Sequence, residues 1–103
     1  LTVLIDKNDF QAFGKAKDVL GNVASADKWK AFGFNAFKCN GHSLKDLRKT
    51  FLTVRKVKNK RPNVIICKTI RGKGVKSIED RLHSNYQAIS SADLKQVLDK
   101  DKP

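Results

Sequence analysis

Several residue types are scarce in this 103-residue sequence, which has two cysteines, two prolines, one tryptophan, one tyrosine and no methionine. Two cysteines are too few for the disulfide framework of a small secreted domain, and no Cys/His spacing is typical of a zinc site. No apolar run approaches the ~20 residues of a membrane span. Since methionine is absent, we do not expect Leu1 to be a native start. These absences predict a cytoplasmic protein with one modest hydrophobic core.

Acidic residues are also scarce, because 22 Lys and Arg stand against 10 Asp and Glu and give a formal net charge of +12. Most of the excess lies in residues 43–76, which hold twelve Lys and Arg and a single acid, Asp46. Such a segment is typical of a phosphate-binding face, or of an exposed helix surface followed by a basic turn. Composition alone leaves both interpretations open.

Three short apolar runs, at residues 1–6, 34–39 and 64–67, predict β-strands. They are apolar on both faces, as in parallel strands that helices cover on either side. Cys39 and Cys67 each end one of these runs, and we expect them to be buried free thiols, with a single disulfide bridge or a metal pair as the alternatives. The strands alternate with helical segments, so the predicted fold class is α/β, a three-layer arrangement with a mostly parallel sheet covered by helices.

Amphipathic spacing and capping residues predict three helices, at residues 26–32, from Ser43 to before Pro62, and at residues 90–100. Apolar side chains three and four positions apart indicate the inward face of each later helix. The predicted inward residues are Leu44, Leu47, Phe51, Val54 and Val57 in the middle helix, and Leu94, Val97 and Leu98 in the last. The aromatic side chains expected in the core are Trp29, Phe32, Phe34 and Phe37.

The carboxyl ends of parallel strands meet at one edge of the sheet, where ligands bind in folds of this class. Three polar segments are predicted there: residues 6–11, 40–42 and 69–74. Asp6 and Asn8 offer oxygen ligands of the kind Mg²⁺ prefers, although their spacing alone favours an ordinary turn. Residues 71–74 (RGKG) fit either a phosphate-binding loop or a basic turn. His42 and His83 are candidate acid/base groups or structural histidines.

Four segments resemble motifs of the thiamine diphosphate-binding domain of transketolases, in the same order and with similar spacing. They are residues 1–11 (LTVLIDKNDFQ), 27–34 (DKWKAFGF), 40–47 (NGHSLKDL) and 64–74 (VIICKTIRGKG). The resemblance implies a thiamine diphosphate-binding fold. It also implies magnesium and thiamine diphosphate as cofactors, and transfer of a two-carbon ketol unit between sugars that are often phosphorylated.

The resemblance also implies roles for individual residues. Asn8 matches the asparagine whose side chain binds the metal, and Phe10 matches the residue whose backbone carbonyl is another metal ligand. Asp6 matches a supporting acid, and Gln11 a polar residue that lines the cofactor site. Arg71 falls where many members have a lysine near the cofactor diphosphate.

Two departures from the family pattern predict an incomplete site. The family's Gly-Asp-Gly element, which carries a further metal ligand, would precede residue 1. The family's active-site histidine corresponds to Asn85 by register or to His83 by chemistry, so both are candidate catalytic residues. Asn40 also replaces the usual aspartate before Gly41.

We therefore expect residues 1–103 to form the later half of one domain of a transketolase, which is a transferase. We expect this half-domain to be inactive on its own. The expected partners are the remaining transketolase segments or subunit, in a homo- or hetero-oligomer. A basic nucleic-acid-binding module is the alternative in a different class, and a degenerate, partner-binding domain is the alternative within the family.

Overall fold

A computed structural model describes residues 1–100 and places a three-stranded parallel sheet at the centre of the fold. Its strands are β1 (Thr2–Lys7), β4 (Asn35–Asn40) and β5 (Asn63–Lys68), in the order β1-β5-β4. Ile65 of β5 is the register partner of Leu4 in β1 and of Phe37 in β4. The predicted α/β class with a parallel sheet is confirmed.

The central position of β5 follows from its sequence. Four consecutive apolar residues leave neither face suited to water, and Val64 and Ile65 are completely buried. β1 and β4 lie at the two edges of this sheet and alternate more strongly between covered and open positions. Leu4 of β1, for example, remains 54% exposed.

Two helices cover the opposite faces of the sheet. One is α2 (Ala26–Ala31), and Ala26 packs with Val64 and Ile66. The other is α3 (Leu44–Lys56), whose Val54 packs with Ile65 and with both cysteines. Both helices begin as predicted, because the Ser25 hydroxyl accepts a bond from the Lys28 N–H and the Ser43 hydroxyl accepts one from the Asp46 N–H.

Three of the core positions predicted in α2 and α3 are wrong. Leu44 is 85% exposed and Phe51 40%, while Thr50 takes the inward position beside Leu47 and Val54. At about 100° per residue, Leu44 lies roughly 90° from the centre of the buried face of α3, past the part that the sheet covers. Phe32, the C-cap residue of α2, is 79% exposed because the chain turns away at Gly33.

The segment after β1, in which the sequence predicts a polar loop over residues 7–14, folds back as a small hairpin and one helical turn. These elements are β2 (Phe10–Gln11), β3 (Gly14–Lys15) and α1 (Ala16–Val19). The hairpin is antiparallel and separate from the central sheet. It holds the residues directly after β1 close to the carboxyl edge of the sheet.

The C-terminal part contains a short 3₁₀ helix (Leu82–Asn85) and α4 (Ser91–Lys100), which Ser90 caps through the Asp93 N–H. The predicted inward face of α4 is wrong, since Leu94 and Leu98 are more than half exposed and only Val97 is half-buried. α4 buries no residue in this structure, and periodicity cannot supply a packing partner. Over residues 1–100, no helix is long and apolar enough to cross a membrane.

Candidate functional site

The three polar segments predicted at the carboxyl edge of the sheet do come together there. The Thr69 hydroxyl donates a hydrogen bond to the Asp6 carboxylate, which joins the ends of β1 and β5. The Nε2 atom of His42 accepts a hydrogen bond of 2.7 Å from the Ile70 N–H, which joins the β4 and β5 loops. His42 therefore has the structural role here, as a hydrogen-bond acceptor for the backbone.

Asp9 organises the turn that carries Asn8 and Phe10. Its backbone φ is +63°, a left-handed conformation that Asp tolerates better than most residues. Its carboxylate lies 2.6 Å from the Lys7 ammonium and also contacts the Lys68 ammonium, so it links β1 to β5. Its carbonyl accepts a 2.8 Å bond from the Ala16 N–H. Sequence reasoning assigned Asp9 no role, and the only signal was an acid inside the matched motif.

Asn8 lies in this turn with its side-chain oxygen bonded to its own loop. Oδ1 accepts a hydrogen bond of 3.0 Å from the Phe10 N–H, as in an Asx turn. An amide oxygen has two acceptor sites, so this bond leaves one for a cation. Asn8 and Gln11 line a cavity of about 660 Å³ whose other walls include Ile5, Ala16 and Leu20.

Within residues 1–100, Arg71 and Gln11 each carry a buried side-chain hydrogen-bond donor without a partner. The Arg71 guanidinium lies over the Phe10 ring, 6.0 Å from its centroid, and its Nη1 atom is buried and unbonded. The Nε2 atom of Gln11, the residue after Phe10, is in the same condition. Burying an unpaired donor costs about 1–3 kcal/mol, more when it is charged, and an anion bound nearby would remove that cost.

The loop that holds Arg71 is closed by bonds between its two ends. The Arg71 carbonyl accepts a 2.9 Å bond from the Asp80 N–H. The Glu79 carboxylate accepts bonds from the Lys73 ammonium at 3.0 Å and from the Gly74 N–H at 3.1 Å. These two bonds, the Lys73 one above all, lower the pKa of Glu79. The loop therefore presents Arg71 from a defined backbone.

Asn40, at the end of β4, forms a turn. Its side chain accepts a 2.9 Å bond from the His42 N–H, and its own N–H donates to the Asp46 carboxylate at 2.7 Å. The next position, Gly41, has no room for a side chain, because a Cβ atom there would lie 2.5 Å from the Thr69 side chain. This turn supports the site by fixing His42.

The two candidate catalytic residues lie in the C-terminal part of the described chain, after the Arg71 loop. His83 and Asn85 are both exposed, in the 3₁₀ helix Leu82–Asn85. The adjacent Tyr86 hydroxyl donates a 2.8 Å bond to the Ala12 carbonyl, which ties this helix to the hairpin after the Asn8 turn. Their exposure does not distinguish one candidate from the other.

The residues present fit one part of a metal-diphosphate site. Among residues 1–100, no group of three His, Cys, Asp or Glu side chains could hold a metal ion. The candidate ligands are instead the amide oxygen of Asn8 and the carbonyl of Phe10, and two oxygens are fewer than Mg²⁺ requires. The unpaired donors of Arg71 and Gln11 match an anion rather than a cation.

Comparison with known proteins identifies the family. Residues 1–100 match the family model for the transketolase thiamine diphosphate-binding domain. The chain is 34% identical over 79 residues to one of the subunits of apulose-4-phosphate transketolase from Phocaeicola vulgatus, covering 77% of this chain and 28% of the relative. It is 41% identical over 80 residues to transketolase-like protein 2 of Homo sapiens, covering 78% and 13%.

A third relative is the 6-deoxy-6-sulfo-D-fructose transketolase subunit SqwG of a Clostridium species, 28% identical over 90 residues, covering 87% of this chain and 32% of the relative. The chain thus spans about a third or less of the curated relatives that it matches. It belongs to the transketolase family, as a thiamine diphosphate-binding domain sequence.

Proposed function

We propose that this chain supplies the diphosphate-binding side, and part of the metal-binding side, of a Mg²⁺–thiamine diphosphate site in a transketolase. The proposal is carried by two side-chain donors that are buried and unpaired within residues 1–100: the Nη1 atom of Arg71, whose guanidinium lies over the Phe10 ring, and the Nε2 atom of Gln11, the residue after Phe10. A diphosphate group offers the oxygens that these donors lack. Asn8 and Phe10 would contribute oxygen ligands to the cation.

The residues of the proposed site have separate parts in binding. Arg71 neutralises diphosphate charge, and Gln11 orients one of its oxygens. Asp6 fixes the end of β1 through Thr69, so that Asn8 leaves the strand at a set position. Asp9 holds Lys7 and Lys68 against the turn, which keeps two cations near the anionic ligand. Thiamine diphosphate, when bound, supplies the carbanion chemistry that moves a two-carbon ketol unit between sugars.

The substrate that we propose is a sugar that bears an anionic group. Two of the relatives act, by their names, on a 4-phosphate and on a 6-sulfo sugar. The exposed cations of this chain are compatible with such a substrate. His83, with Asn85 as the alternative, would face the sugar in the assembled enzyme.

The assembly that we propose is a multi-subunit or multi-segment enzyme in the cytoplasm. Relatives are named as transketolase subunits, and this chain spans only part of their length. The metal ligand of the family's Gly-Asp-Gly element would come from the remaining segments or subunit. Residues 1–103 alone would bind diphosphate weakly and would not transfer ketol units.

The test uses the complete polypeptide that carries these residues, with titration calorimetry of Mg²⁺–thiamine diphosphate. Asn8→Ala removes both the proposed metal ligand and the acceptor for the Phe10 N–H. Asn8→Asp keeps an oxygen in both places. We expect affinity to fall about tenfold or more in Asn8→Ala and to be largely kept in Asn8→Asp. Unchanged affinity in Asn8→Ala would contradict the assignment, and no binding by the unaltered polypeptide would favour a degenerate domain.

A nucleic-acid-binding module is the second candidate, and the exposed side of α3 favours it. Five cations are exposed along this helix: Lys45, Arg48, Lys49, Arg55 and Lys56. None of them belongs to the salt bridges of Asp9, Asp27 or Glu79. Fluorescence anisotropy with a duplex, over a salt series, tests this candidate. Binding that falls steeply with salt would support it, and no binding at moderate salt would remove it.

A further inference from the structure

The two cysteines of this chain lie side by side in the buried layer between the sheet and α3. Cys39 in β4 and Cys67 in β5 are register partners, so they face each other directly across neighbouring strands. Each is only 7% exposed, and both pack with Val54 and Ile65. Nothing in the proposed cofactor site uses these sulfur atoms.

The two sulfur atoms are already in contact as thiols. The Cys39 thiol donates to the Cys67 Sγ atom over 3.6 Å, and the Cys67 thiol points toward the Ile65 carbonyl at 3.9 Å. Both cysteines are free. Burial first, and then the neighbouring Cys67, raise the pKa of Cys39 from 9.0 to about 11, so Cys39 is a protonated thiol near neutral pH.

We propose that Cys39 and Cys67 form an oxidation site, a dithiol that a small peroxide converts into an intrachain disulfide between β4 and β5. Neighbouring strands lie about 4.7–4.9 Å apart, which is within the usual Cα separation of a disulfide. The sulfur atoms must approach from 3.6 Å to a bond length of about 2.05 Å. β4 is an edge strand of the described sheet, so it can shift toward β5 without displacing a further strand.

The chemistry balances with hydrogen peroxide as the oxidant. The sulfur of one cysteine, on losing its proton, attacks a peroxide oxygen, so that an S–O bond forms and the O–O bond breaks. The released hydroxide takes up that proton as water. The second sulfur then attacks the first, an S–S bond forms, and the S–O oxygen leaves as water with the second thiol proton. Two thiols are oxidised, and one peroxide is reduced to water.

Because both cysteines are buried, we expect only a small oxidant to reach them and the first step to be slow. With 7% of each residue exposed, hydrogen peroxide can reach the sulfur atoms more easily than a bulky disulfide can. The second step is favoured because the partner sulfur is already in contact. The disulfide would lie one residue before Asn40 and Lys68, the last residues of β4 and β5. It would therefore link the two strands just before the His42 turn and the Arg71 loop.

The test treats the folded, reduced polypeptide with hydrogen peroxide, alkylates the remaining thiols in denaturant, and measures the intact mass and the linked peptides. We expect a monomer that has lost two hydrogen atoms, resists alkylation, contains a Cys39–Cys67 peptide pair and regains both thiols with dithiothreitol. The single variants Cys39→Ser and Cys67→Ser should show no such loss.

Two outcomes would overturn the proposal. One is that both thiols stay open to alkylation at peroxide concentrations that oxidise the urea-unfolded chain. The other is that the folded chain gains oxygen atoms or forms dimers instead of the internal bond. The experiment needs no cofactor, so its failure leaves the proposed function unaffected.

Discussion

The Nε2 atom of His42 accepts a hydrogen bond of 2.7 Å from the backbone N–H of Ile70. This bond links the turn after β4 to the loop after β5, one residue before Arg71. The His42 imidazole therefore holds the start of the loop that carries Arg71.

Replacing His42 with alanine should loosen that loop. The Ile70 N–H loses its acceptor, so we expect faster hydrogen exchange at Ile70 and a free energy of unfolding lower by about 1 kcal/mol. Exchange mass spectrometry and urea unfolding measure the two effects. His83→Ala is the matched control, because His83 lies in the 3₁₀ helix Leu82–Asn85 rather than in the turn after β4. Equal exchange at Ile70 in both variants would refute the role of His42.

Replacing Arg71 with methionine should separate binding from stability. Methionine keeps an unbranched side chain against Phe10 and removes the buried donor that has no partner. We expect unfolding stability to be unchanged or higher, while affinity for inorganic pyrophosphate falls about tenfold. Calorimetry and urea unfolding measure these quantities. Arg55→Met is the control, because Arg55 is an exposed residue of α3. A loss of stability without a loss of pyrophosphate affinity would assign Arg71 a structural role alone.

The strands and the polar edge were predictable because their signals are local. The run at residues 64–67 is apolar throughout and has no polar side to turn toward water, and Asn8 follows the apolar run at residues 1–6 by two positions. The inward faces of α3 and α4 were not predictable in the same way. Whether Leu44 or Leu94 is covered depends on how far the sheet extends beneath the helix, which periodicity does not contain.

The details of the candidate site required the three-dimensional structure. Asp9 becomes important only because its left-handed turn brings Lys7 and Lys68 to one carboxylate, and these lysines are far apart in sequence. The unpaired donors of Gln11 and Arg71 are likewise a property of packing. Residue types left a phosphate-binding loop and a basic turn both open, and only the family resemblance implied a diphosphate site. The buried, unpaired donors support that proposal.

Gly72 should be more sensitive to alanine than Gly74. Both have positive φ, +65° and +97°, which penalises any side chain. At Gly72 a Cβ atom would also lie 2.8 Å from the Ile78 carbonyl oxygen, whereas at Gly74 it meets nothing within 4 Å. We expect Gly72→Ala to lower the free energy of unfolding by about 1 kcal/mol more than Gly74→Ala does. Urea unfolding measures the difference. Equal losses of unfolding free energy in the two variants would show that the backbone at Ile78 moves to make room for the methyl group.

Alkaline pH should weaken the reduced protein through Cys39. The pKa of this thiol rises from 9.0 to about 11 on folding, mainly because burial disfavours the thiolate. The folded state therefore binds the proton more tightly, and its contribution is fully present below pH 9 and is lost as the pH rises through about 11. Other groups titrate there too, so the informative quantity is the difference in unfolding free energy between the unaltered chain and Cys39→Ser, with reductant present. We expect that difference to shift against the unaltered chain between pH 9 and 11, by at most about 3 kcal/mol. If the two stability curves stay parallel throughout this range, burial does not govern the protonation of Cys39.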